Sequence, residues 1–120
     1  MNGRDEAAHA VAQSAEGSAD CDYWHGIIHR REPDPANARY WFRRVGTHPA
    51  MSPLPAVAAD LAQTLTVEPL AGEVLAPTWD PAAFIALCGR AEESPDSDLH
   101  LFARALQWAE MRSLMMHVLS

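Results

Sequence analysis

The sequence predicts an all-α protein, a single-domain bundle of about five helices with a long, buried C-terminal helix. Three observations predict it. Leu and Met together number sixteen against nine Val and Ile, and unbranched side chains keep rotamer freedom in a helix that β-branched ones lose. Alanine, the strongest helix former, supplies 22 of the 120 residues. Helix-start signals recur: Asp34-Pro35, Asp80-Pro81 and Ser94-Pro95 each set a capping side chain before a proline whose fixed φ suits a first helical turn.

The elements follow in order. Residues 1–19 are rich in Ala, Gly and Ser and hold few large apolar side chains, too few to offset the entropy of ordering them. They are expected to form a mobile tail, and residues 20–120 a single helical domain. Asp20 or Asp22 is expected to cap a helix that ends near Arg31, where Pro33 and Pro35 stop it. Asp34-Pro35 opens a second helix that closes at Gly46. Residues 54–65 form a short Ala/Leu helix, and 66–79, with Pro69, Gly72 and Pro77, an irregular connection. Asp80-Pro81 opens a fourth helix to about Ala91, with Trp79 placed to staple its first turn. Ser94-Pro95 opens the longest, to about Leu119. Its apolar residues surround most of the circumference, the pattern of a central, buried helix.

Composition narrows the function classes. Cys21 and Cys88 make no disulfide framework and read as reduced thiols. No stretch approaches the length of a membrane span, and the N-terminus has no apolar secretory region, so a cytoplasmic protein with no membrane partner is expected. The formal charge of −7 argues against nucleic-acid binding, which needs a basic face. Serine-nucleophile, P-loop and dinucleotide motifs are absent from the sequence.

The charge is unevenly spread. Residues 22–48 hold five of the nine Arg, three of the six His and only three acids. At about 100° per residue, Cys21, His25, His29 and Glu32 fall on one stripe of the first helix. Two imidazoles four residues apart can reach one divalent ion, with a carboxylate as third ligand. His25, His29 and Glu32 are therefore the candidate metal ligands, for an ion such as zinc. The same histidines, with His48, are the candidate acid–base residues of an enzyme. On the second helix, Asn37, Tyr40 and Arg44 share a stripe beside Trp41. Arginine presents a planar fork to carboxylate or phosphate and stacks on aromatic rings. Arg30, Asn37, Tyr40, Trp41 and Arg44 are the candidate ligand-binding residues for a small anionic or polar molecule.

The string His25-x3-His29-Arg30-Arg31-Glu32-x-Asp34-x2-Asn37-Ala38-x-Tyr40-Trp41-Phe42-Arg43-Arg44-Val45-Gly46-x-His48-Pro49 resembles the signature of a family of uncharacterised, mainly bacterial proteins. The resemblance covers about a quarter of the chain and implies that the remainder is that family's helical scaffold. It implies no activity. Part of the string is also similar to Sel1 and tetratricopeptide repeats, which stack several copies where this chain has one.

Three functions compete for these residues. In the first, a His/Arg/aromatic pocket on the first two helices binds a small anionic or polar ligand. In the second, His25, His29 and Glu32 serve a metal-dependent or acid–base enzyme. In the third, the Met-rich C-terminal helix makes the chain a protein–protein interaction module, self-association included.

Overall fold

Local capping fixes where each helix begins. The structure, a computed structural model, describes residues 18–67 and 71–120; nearly all of the predicted tail lies outside them. The first helix, α1 (Ala19–Arg31), is capped by Ser18, whose Oγ accepts the Cys21 N–H at 3.2 Å. Neither Asp20 nor Asp22 caps it. Both sit inside the first turn, where the positive end of the helix dipole favours carboxylates. The second helix, α2 (Pro35–Val45), begins as expected, with Asp34 as cap and Pro35 at its first position. It ends at Gly46, whose φ of 64° is one that L side chains rarely adopt.

Helices α1 and α2 pack as a hairpin. Tyr23 and Ile27 of α1 and Ala38, Phe42 and Val45 of α2 are buried. Tyr23 meets Phe42 edge to face, with ring centroids 5.4 Å apart. The Phe42 ring lies where a side chain at Gly26 would be: a Cβ there would stand 2.7 Å from Phe42 Cε2. Glycine in mid-helix, ordinarily unfavourable, is the price of that approach.

The chain divides into two compact units, the first ending at Gly46 and the second beginning at Thr47. In the second unit, His48 caps a single 3-10 turn (Pro49–Met51), its Nδ1 accepting the Ala50 N–H at 3.0 Å. Helix α3 (Leu54–Thr64) follows without a side-chain cap. The connection after it consists of turns over 71–75, with 68–70 outside the described residues. Helix α4 (Pro81–Glu92) is capped by Asp80, and Trp79 packs on Phe84 at 5.2 Å, the expected staple.

Helix α5 (Asp98–Leu119) has 22 residues and is roughly 33 Å long at 1.5 Å per residue. Its cap is Ser97, which accepts the His100 N–H, and not Ser94; residues 95 and 96 form a turn before it. The helix packs against α3, α4 and the 3-10 turn. Phe102, Leu106 and Leu114 are fully buried there together with Leu54, Phe84 and Leu87. Each such side chain contributes about 1.5–3 kcal/mol of transfer free energy. Two polar ties hold the ends: Ser113 Oγ donates to the Ala50 carbonyl at 2.7 Å, and Asp98 accepts the Thr66 N–H at 2.7 Å. Apolar residues do surround α5, but burial is confined to one side. Leu101, Trp108, Met115, Met116 and Leu119 are exposed, Trp108 at 68%. The fold is all-α, and no strand occurs among the described residues.

Candidate functional site on the first helical hairpin

The exposed side of α2 carries Arg39, Tyr40, Arg43 and Arg44, with Trp41 half-buried beside them. The helix contains no acid. Arg44 is the organised member of the group. Its Nε donates to Asp22 Oδ2 and its Nη1 to the Tyr40 hydroxyl, both at 3.3 Å. The guanidinium lies over the Trp41 ring at 5.2 Å and the Tyr40 ring at 5.9 Å. The Tyr40 oxygen, and then the Asp22 carboxylate, hold the Arg44 pKa above its usual value. Asp22 is buried while Arg44 is 46% exposed, so the carboxylate anchors the arginine from beneath. The Nη2 edge has no protein acceptor among the described residues.

His25 joins this group. Its ring stacks on Trp41 with centroids 4.3 Å apart and planes 21° from parallel. His25 Nδ1 lies 2.9 Å from the Cys21 carbonyl oxygen, which can only accept, so that nitrogen carries the proton. Cys21 Sγ is 3.8 Å from the same nitrogen. A protonated Nδ1 cannot take the thiol proton, so His25 is no base for Cys21 through that atom.

A second group forms where α1 turns into α2. His29 Nδ1 meets Glu32 Oε1 at 2.8 Å. The Asp34 N–H donates to the His29 carbonyl at 2.7 Å, folding the Glu32-Pro33-Asp34 turn back on the helix end. The Asp34 carboxylate accepts from Asn37 twice, the side-chain amide at 2.7 Å and the backbone N–H at 3.3 Å. These bonds, the side-chain one first, hold the Asp34 carboxyl below the usual carboxylate range, with His29 adding to the effect.

The expected site residues therefore divide. Tyr40, Trp41, Arg44 and His25 come together. Arg30 does not join them: it is buried, and its guanidinium packs over the Phe42 ring at 5.6 Å. A long Arg stem on the inner face of a hairpin is core material. Asn37 does not face the arginines either; it braces the Asp34 cap. The predicted ligand trio of His25, His29 and Glu32 does not assemble. Asp34 stands where His25 was expected, within 4.8 Å of donor atoms of His29 and Glu32. One turn of helix separates His25 from His29, and stacking on Trp41 turns the first ring to another neighbour. His48 lies in the second unit, buried, with its Nδ1 used as a cap and its ring edge-on to His117 at 4.8 Å. Two roles lie outside the sequence expectations: Asp22 anchors Arg44, and Asp34, expected only as a cap, also stands beside His29 and Glu32. The Glu32-x-Asp34 spacing after His29 was the available signal for the latter.

A groove of about 520 Å³ in the second unit is lined by Glu73, Ala76, Thr78, Trp79, Asp80 and Pro81. Its charged residues are both acids, so it is no site for an anion. No known protein family, no curated protein and no solved structure matches the chain.

Proposed function

We propose that the protein is a binding protein for a small anionic molecule, a carboxylate or phosphate carried on a planar or apolar body, received on the exposed face of α2. One observation carries the reading: Arg44 is pre-positioned by Asp22, Tyr40 and Trp41 while its side chain stays 46% exposed and its Nη2 has no protein acceptor among the described residues. A guanidinium already held in place loses less side-chain entropy when an anion arrives. Arg39 and Arg43, both exposed, raise the local positive potential in a chain of net charge −7. Tyr40, 45% exposed, offers ring surface to the body of the ligand.

The test is a titration of the full chain, followed by amide NMR shifts, with inorganic phosphate, benzoate and adenosine monophosphate. Binding should move the resonances of Tyr40, Trp41 and Arg44. Arg44→Ala should weaken it about tenfold or more, since a charge-assisted hydrogen bond is worth roughly 1.5–3 kcal/mol. Arg44→Lys keeps the charge over Asp22 and guards against misfolding. It should recover part of the affinity without the fork. Absence of shifts at these residues with all three probes, or equal affinity in Arg44→Ala, would reject the proposal.

A further inference from the structure

We propose that the α1–α2 turn is a divalent-cation site whose ligands are His29, Glu32 and Asp34. The three residues each place a donor atom within 4.8 Å of the other two. The set is one imidazole nitrogen and two carboxylate oxygens, which suits zinc or manganese and not calcium alone. His29 Nδ1 and Glu32 Oε1 are 2.8 Å apart. Two ligands at about 2.1 Å from an ion stand about 3.0 Å apart at right angles and about 3.4 Å apart at the tetrahedral angle. The hydrogen-bonded pair thus needs to part by only about 0.2–0.6 Å to reach the separation of neighbouring ligands, and the ion takes the place of the shared proton. On binding, a neutral His29 moves its proton from Nδ1 to Nε2, so atoms and charge balance without any further reactant.

The turn is also held in shape by its own backbone and side-chain bonds. Pro33 and Pro35 restrict the backbone on both sides of Asp34. The Asp34 N–H is tied to the His29 carbonyl, and Asn37 orients the carboxylate. His29 and Asp34 are half-buried and Glu32 is exposed, so an ion can enter from solvent. This site shares no residue with the Arg44 face, and either can fail without the other.

The experiment is calorimetric titration of the chelator-treated full chain with zinc chloride, with parallel manganese titration followed by paramagnetic broadening of amide signals. One zinc per chain should bind with micromolar affinity. Manganese should broaden residues 29–37 first. Glu32→Gln and Asp34→Asn should each weaken zinc by about tenfold or more, while His25→Ala changes it less than about twofold. Asp34→Asn is the decisive variant, because asparagine caps a helix as well as aspartate and leaves the fold in place. No zinc binding, or binding that survives Glu32→Gln and Asp34→Asn unchanged, overturns the site. Loss in His25→Ala with no loss in Asp34→Asn would overturn it in favour of the His25, His29, Glu32 set.

Discussion

Gly26→Ala should destabilise the protein although it adds a better helix former to the middle of α1. The methyl carbon would sit 2.7 Å from Phe42 Cε2 and 2.9 Å from two further ring carbons. Carbon atoms pack best at about 3.5–4.0 Å, so the ring must retreat by about 1 Å. It has little room, being 4% exposed with Tyr23 edge-on at one side and the Arg30 guanidinium over it. Overpacking of this kind costs about 1–3 kcal/mol. The gain in helix propensity returns about 0.8–1 kcal/mol. The two ranges net to a loss of about 0–2 kcal/mol, and the confinement of the Phe42 ring puts the expectation in the upper half of that range. Urea denaturation of the full chain, followed by far-ultraviolet circular dichroism, should show a lower midpoint with an unchanged slope. Phe42→Leu should cost less in the Gly26→Ala background than in the wild type, because the smaller side chain yields the space. An alanine variant as stable as the parent, or more so, would show that the hairpin is not held at that distance and would refute the packing argument.

Two further predictions concern the second unit. Asp80→Ala removes the acceptor for the Ala82 N–H at the start of α4 and should cost about 0.5–2 kcal/mol, while Asp80→Asn restores most of it; chemical denaturation of the pair decides, and equal losses would mean that the charge and not the cap matters. Ser113→Ala breaks the 2.7 Å bond that ties α5 to the Ala50 carbonyl and should lower stability by about 0.5–1.5 kcal/mol; an unchanged melting profile would mean that solvent reaches that carbonyl.

The parts of this protein that one sequence discloses are those decided within a few residues. The starts at Asp34-Pro35 and Asp80-Pro81, the stop at Gly46 and the Trp79–Phe84 staple all depend on groups no more than five residues apart. Even so, α1 and α5 begin at Ser18 and Ser97, because several residues able to cap stood close together at both starts. His29 with Glu32 was visible too, as an i,i+3 pair on one helix end.

The rest depends on how one helix is rotated against another. Stacking of His25 on Trp41, burial of Arg30 on Phe42 and the reach of Asp22 to Arg44 each join α1 to α2. Sequence periodicity sets the face of each helix separately and leaves their mutual rotation free. Gly26 takes part in fixing that rotation, because the Phe42 ring of α2 lies against the α1 backbone where any other residue would place its Cβ. Composition and spacing by themselves determined that this chain is helical, that residues 22–48 concentrate its positive and titratable groups, and where most helices begin and end. Only the tertiary structure decided which of those groups became core, which became a cap, and which were left facing solvent, because desolvation and packing act between helices and not along them.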